Sequence, residues 1–390
     1  MIGKIFCKTL LIIFLTVFTA QCACAQESSA GIINTFAFKT INTIAADNDD
    51  NFLFSPFSIL SALGMLYAGS AGDTQCEIEK ALLFNPAVHE NLGALANDLA
   101  QHEILQSANR IWLDKTIKLK RGYNNILTEN YKSIAGAVDF KNYPDDAKNN
   151  INDWISDHTN GKIQNLIQNI EPDTKMILTN AVYFMARWTK TFSTRRTALK
   201  KFSVPHSEAK DVQMMSQLDE FMYAEIDNNK IVKLPYDNFR TSMIVILPAD
   251  DIKTLQENLT PEIFSDWIKK LTRYDVDLWL PKFKIERRYE LKELFSALGI
   301  TLAFTDKADF SGITADAELK ADSIIHQTFI DVDEEKTEAA AATAIQMVGI
   351  TAMPEQLPRA EFHADRPFLY FIIENDSHAI LFAGRQTFKD

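Results

Sequence analysis

Apolar residues keep helical spacing through the first part of this chain and change to strand spacing in the rest. That change of period sets the fold class. Between residues 31 and 46, Ile33, Phe36, Ala37, Ile41 and Ile44 line one helical stripe. Ser55-Pro56 then opens a second helix, with serine as N-cap and proline in the first turn, and Ile59, Leu60, Leu63, Leu66 and Tyr67 carry the spacing on. Residues 146–170 read as helical up to HTNGK, where Asn160-Gly161 marks a stop. Strand runs follow at 175–184, 241–247, 275–285 and 324–333. The runs 368–372 and 379–384 flank a turn at Glu374-Asn375-Asp376-Ser377, the pattern of a hairpin. No internal repeat and no Gly-Ser linker divides the chain. Helices first and strands later predict one large α+β domain.

Charge and cysteine usage narrow the setting. The 390 residues are 46% hydrophobic and 24% charged, with a formal net charge of −12, which argues against nucleic acid or an anionic membrane as partner. Residues 1–25 have the grammar of a secretory signal peptide: Lys4 and Lys8, the apolar run Leu10–Ala20, then a cleavage site at Ala23-Cys24-Ala25. A lipid-anchored Cys22 is the weaker alternative, since Thr19-Ala20-Gln21 is a poor lipoprotein box. Cleavage after Ala25 removes Cys7, Cys22 and Cys24 and leaves Cys76 alone of four cysteines, so no internal disulfide holds the mature domain, 26–390. The expectation is a secreted monomer, extracellular or periplasmic according to the host.

Catalytic motifs are weak. Ser207 and Lys210 have the serine–lysine spacing of penicillin-recognising enzymes without the partner motifs, and His102-Glu103 lacks the second histidine of a zinc helix. The basic clusters Lys115, Lys118, Lys120, Arg121 and Arg195, Arg196, Lys200, Lys201 read as solvated faces. Asn258-Leu-Thr260 and Asn375-Asp-Ser377 are glycosylation sequons. These patterns predict no enzyme, no metal and no cofactor.

Two signals conflict in the stretch EEKTEAAAATAIQMVGITAM, residues 334–353. Alanine and glutamate make Thr337–Ile345 a good helix by propensity. At period two, however, Thr337, Ala339, Ala341, Thr343, Ile345 and Met347 form one small, mostly apolar face, which suits a strand entering a core. Two polar residues also stand on otherwise apolar strand faces. Asn180 shares its face with Met176, Leu178, Val182 and Phe184, and His326 shares its face with Ile324, Thr328, Ile330 and Val332. Such groups need buried partners, and the sharper expectation is that they meet each other where a sheet opens.

From about residue 31 to the end, the chain resembles the serpins. NFLFSPFSI (51–59), HTNGKI (158–163), LTNAVYFMARW (178–188), LPKFKIE (280–286), ADFSGIT (308–314) and FHADRPFLYFI (362–372) match family blocks in order. The resemblance implies a single α+β domain with three β-sheets, about nine helices and an exposed reactive-centre loop, here about 336–358. It also implies the function of a suicide inhibitor. A target protease cuts the loop, and the cut loop enters the largest sheet while the acyl-enzyme persists. Carried over position by position, Ser55, Ser58, Asn180 and His326 match the polar shutter, Trp188 the breach, and Glu334 and Lys282 the ion pair at the loop base. Glu335, Lys336, Thr337, Glu338, Ala339, Ala340, Ala341 and Ala342 match the hinge. Lys336 departs from the glycine of inhibitory members and favours the alternative, a non-inhibitory carrier or chaperone. Family spacing from Glu334 places the reactive bond at Ile350–Thr351, with Met347 and Met353 as rivals. With no Arg or Lys among Met347–Ile350, the expected targets are elastase-, chymotrypsin-, subtilisin- or papain-like.

Overall fold

A computed structural model of the chain describes residues 28–45, 49–102, 104–337 and 356–389. Among the described residues there are nine α-helices and sixteen strands, in an order that turns from helix-rich to strand-rich along the chain. The helix Ser29–Ala45 buries Ile33, Phe36, Ala37 and Ile41. The helix Pro56–Tyr67 starts where its punctuation says, with the Ser55 hydroxyl capping Ser58 N–H, and it is buried along its whole length. The helix Pro144–His158 ends at the expected stop, where Asn160 and Gly161 take φ of 50° and 72°. Proline opens this helix too, and its last turn runs into a conformation that glycine adopts at no cost.

The strands form two hydrogen-bonded networks. The larger has nine strands, with Phe52–Phe54, Ile380–Gln386, Phe368–Glu374, Thr241–Leu247, Asn229–Pro235, Lys210–Ile226, Thr272–Pro281 and Arg359–His363 in spatial order; Ala198–Phe202 pairs with Lys210–Ile226. Two of the three expected sheets are joined here because the 17-residue strand Lys210–Ile226 belongs to both. Its end pairs with Asn229–Lys233 and its middle with Thr272–Pro281. The smaller network has seven strands, ordered Gly136–Val138, Leu105–Asp114, Met176–Phe184, Ser323–Val332, Lys336–Thr337 and Ala186–Arg187, with Phe283–Glu290 on the other side of Ser323–Val332. The hairpin around Glu374 is present. Its turn is tied by the Glu374 carboxylate, which accepts from Asp376 N, Ser377 N and Ser377 Oγ.

One strand differs from expectation. The run 275–285 is not continuous: Thr272–Pro281 lies in the larger network and Phe283–Glu290 in the smaller. Pro281 lacks an N–H, and the chain changes sheets at Lys282.

The seven-stranded sheet divides two cores, and the period-two pattern says which residue goes where. Met176, Leu178, Val182, Phe184, Ile324, Ile330 and Val332 join the main core, into which helix Pro56–Tyr67 packs. Ile177, Ala181, Tyr183, Ile325 and Phe329 face a smaller core with Ile151 and Ile155 of helix Pro144–His158. Both faces of these central strands are thus buried, so any polar side chain on them must find its partners inside.

Candidate functional site: a polar cluster beneath a forked sheet

Strands Met176–Phe184 and Ser323–Val332 run parallel, and their register sets His326 directly opposite Asn180. Both side chains are fully buried, as are Ser55 and Ser58 beneath them. His326 Nδ1 bonds to Asn180 Oδ1. Ser55 N–H donates to His326 Nε2 at 3.1 Å, so Nε2 is the acceptor and Nδ1 carries the proton; the tautomer is assigned from these bonds. Burial of the ring pushes the His326 pKa down to about 3, which the bond to Asn180 opposes and does not offset. The imidazole is therefore neutral at physiological pH.

The Asn180 amide shares its two protons among the Ser58 carbonyl (3.1 Å), Ser58 Oγ (2.7 Å) and Asn109 Oδ1. Ser55 Oγ donates to the Leu381 carbonyl at 2.6 Å while it caps the helix. One cluster thus ties both central strands, the helix below and the strand Ile380–Gln386. Asn109 was missed in the sequence. The test that singled out Asn180 also applies to it, since Ile111 and Leu113 continue its face into the main core.

Above this cluster the sheet forks. The parallel ladder runs from Ser323 and Ile177 to Phe329 and Tyr183. Beyond it the two strands diverge, and the backbone of Lys336–Thr337 occupies the gap. Thr337 pairs antiparallel with Val332 on one side, and Lys336 and Thr337 pair antiparallel with Arg187 and Ala186 on the other. The fork is held open by Trp188. Its ring stacks on Tyr236 at 4.6 Å and 13°, its Nε1 donates to the Asp333 carbonyl at 2.9 Å, and its backbone N–H donates to the Glu335 carbonyl at 3.2 Å.

At the base of the same segment Glu334 is buried. Its carboxylate accepts from Lys282 Nζ at 2.6 Å and from Thr197 Oγ1 at 2.8 Å, and its carbonyl accepts from Phe192 N–H at 2.8 Å. Burial acts to raise its pKa, but the bonds from Lys282 and Thr197 prevail and hold the carboxyl below the usual range. Lys282 reaches Glu334 because the chain changes sheets at that residue. Nothing in the pattern around Thr197 marks it in advance.

The structure therefore brings Ser55, Ser58, Asn180 and His326 together, and separately Trp188, Lys282, Glu334 and Glu335 with the backbone of Lys336 and Thr337. Glu338, Ala339, Ala340, Ala341 and Ala342 lie outside the described residues, as do Ile350 and Thr351, the rivals Met347 and Met353, and the segment 1–25. Ser207 and Lys210 do not form a helical serine–lysine pair. Ser207 sits in a turn, with its N–H on the Val204 carbonyl, and Lys210 begins a strand. Among the described residues no cluster of His, Cys, Asp and Glu could hold a metal ion. Cys76 is exposed and free of disulfide. No helix among them is long and apolar enough to cross a membrane.

Comparison with known proteins agrees with this geometry. The Serpin (serine protease inhibitor) family model matches residues 32–387. A serpin-like protein of Thermococcus kodakarensis is 36% identical over 92% of this chain and 85% of its own length. Serpin B3 of Homo sapiens is 34% identical over 90% and 96%, and the leukocyte elastase inhibitor of Equus caballus 35% over 89% and 95%. Among solved structures, uncleaved ovalbumin superposes with a TM-score of 0.84 at 27% identity, over 93% of this chain and all of that one. Human thyroxine-binding globulin gives 0.82 at 29%, over 91% and 97%. The chain belongs to the serpin family.

Proposed function

We propose that this serpin is a secreted, monomeric suicide inhibitor of serine proteases with apolar primary specificity, with papain-like cysteine proteases as a second target class. It is not itself an enzyme. The observation that carries the reading is the seat of Lys336–Thr337 in the fork. The first residues after Glu334 already lie antiparallel to both neighbours, in the place and direction that the rest of the loop would take. Insertion of a cut serpin loop is a recognised switching device. Here it exchanges one parallel ladder, the less stable kind per residue, for two antiparallel ones.

The mechanism follows from this exchange. The protease attacks the Ile350 carbonyl and forms an acyl-enzyme. The freed amino side of the loop then propagates from Thr337 down the fork, parting His326 from Asn180. If insertion outruns hydrolysis, the acyl-enzyme is carried along and distorted; if not, the loop is a substrate. The kinship with a leukocyte elastase inhibitor supports an apolar primary residue.

A panel of elastase-, chymotrypsin-, subtilisin-, papain- and trypsin-like proteases tests this. An SDS-stable covalent complex with an apolar-specific member is expected, and none with trypsin. Cleavage throughout the panel with no covalent complex overturns the inhibitor reading. It would favour the second one, a carrier, which Lys336 and the likeness to thyroxine-binding globulin support.

A further inference from the structure

Helix Pro56–Tyr67 begins at the polar cluster under the central strands and ends at a second one. The ring of Tyr67, its last residue, stacks on His89 of helix Val88–Gln101, with centroids 5.3 Å apart at 25°. The Tyr67 hydroxyl donates at 2.7 Å to Glu79 Oε1 of helix Gly72–Leu82, an oxygen that also accepts from Gln75 at 2.9 Å. His89 Nδ1 lies 2.8 Å from the hydroxyl of Tyr131, the last residue of helix Arg121–Tyr131, and the two rings meet edge to face at 86°. Glycines let the helices close around this contact. The Tyr131 hydroxyl fills the space that a side chain at Gly64 would need, and Gly93 rests on the backbone of Asn130.

The direction of the His89–Tyr131 bond follows from burial. Burial pushes the Tyr131 pKa far above its usual range, so the phenol keeps its proton. Among the described residues that proton has no acceptor but His89, so the hydroxyl donates, Nδ1 accepts and Nε2 carries the imidazole proton. Burial also holds the His89 pKa below its ordinary value. The ring is faced by Tyr67 and Tyr131 and, through the Tyr67 hydroxyl, by Glu79; on its own helix the adjacent Glu90 is exposed. Among the described residues no ion pair reaches the imidazole to stabilise a charge on it.

The same helices bear on the central sheet. Helix Val88–Gln101 packs on helices Pro56–Tyr67 and Arg121–Tyr131 and on strand Leu105–Asp114. That strand is hydrogen-bonded along Met176–Phe184. Parting Met176–Phe184 from Ser323–Val332 therefore carries Leu105–Asp114 across helix Pro56–Tyr67, and the helices on it have to slide His89 off Tyr67 and Tyr131 off Gly64. A cleft of about 440 Å³ bordered by Ala96, Leu105 and Tyr131 leaves them room to move.

We propose that His89 and Tyr131 form an acid-sensitive latch that ties helices Val88–Gln101 and Arg121–Tyr131 to helix Pro56–Tyr67, and that its release eases the parting of the central strands. When the imidazole takes a second proton, Nδ1 becomes a donor and faces the Tyr131 donor. Tyr131 then has to turn its proton toward Gly64, where it finds no acceptor among the described residues, or leave its seat. Opening of the cluster lets water reach both groups. The latch does not depend on the inhibitor reading.

Hydrogen exchange of the full uncut chain, corrected for intrinsic rates, tests the latch in wild type, His89→Gln and Tyr131→Phe at about pH 7.5 and about pH 5, either side of the ordinary histidine range. Glutamine carries no charge at either pH and still accepts from Tyr131; phenylalanine fills the same seat without a donor. On acidification, wild-type residues 88–101 and 121–131 should lose protection several-fold, and the ladder 177–183 should follow. The ceiling is about thirtyfold at pH 5, set by a free imidazole pKa of about 6.5. Both variants should lose markedly less, and either suffices if the other does not fold. His326 is the same in all three chains, so its own response to acid cancels. By NMR, His89 should titrate below the free value in wild type and higher in Tyr131→Phe. An acid loss as large in the variants as in wild type overturns the latch, and equal His89 midpoints overturn the bond direction on which it rests. Loosening confined to the helices overturns its coupling to the sheet.

Discussion

Replacement of Asn180 by alanine should destabilise the uncut protein and leave the cut protein almost unchanged. In the uncut form Asn180 accepts from His326 Nδ1–H and donates to Ser58 and Asn109. Asn180→Ala leaves one fully buried group with no partner, the His326 Nδ1–H, and leaves Ser58 Oγ only its 3.5 Å contact with Asn109. Stranding the imidazole N–H costs ~1–3 kcal/mol. A strand inserted between the two carriers moves them from adjacent to next-nearest positions, from ~4.8 Å to roughly 9.6 Å apart. The direct bond is then already broken in the wild type, so the same substitution should cost about 1 kcal/mol or less. Urea unfolding of both forms, before and after a single loop cut, measures the two differences. Equal destabilisation of cut and uncut protein refutes the reasoning, because it means that the loop does not enter between these strands.

Acid should act on the same cluster. His326 is held neutral with its pKa pushed to about 3 against 6.5 for the free side chain. Its contribution is therefore complete above pH 6.5 and is lost as pH falls toward 3, on the order of 5 kcal/mol at most; a shallower slope of uncut stability over that window in His326→Gln than in wild type is the expected comparison, with the slope that both share coming from carboxylates such as Glu334. Glu334→Lys places a buried ammonium against Lys282 in a site that now holds an anion, so it should yield oligomers on native gels after mild heating where wild type stays monomeric. Ile350→Arg should gain inhibition of trypsin, whose primary pocket is acidic, and lose that of elastase, with Thr351 as the first residue of the released carboxy-terminal peptide by mass spectrometry. Thr337→Arg should still be cut at that bond but release active protease, since a charge at the first position paired on both sides has to be desolvated before insertion proceeds; Lys336→Gly should lower the number of inhibitor molecules consumed per protease trapped.

Period and punctuation made much of this protein legible from its residues. Alternation along 176–184 and 324–332 names the residues that face each core, because side chains alternate across a strand whatever its neighbours are. Ser55-Pro56 and Asn160-Gly161 mark helix ends through their own backbone preferences. Asn180 and His326 stand out as polar residues on apolar faces. Local pattern carries no information about which strand lies next to which. That Asn180 and His326 are level, that Lys282 falls at a change of sheet and so reaches Glu334, and that Thr197 and Asn109 complete the two clusters all depend on long-range pairing. The conflict within residues 334–353 has the same origin. An alanine-rich segment this short is only marginally helical in water, so its conformation is decided by whether a sheet offers it two unpaired edges. At Lys336–Thr337 the fork between Val332 and Ala186 does so.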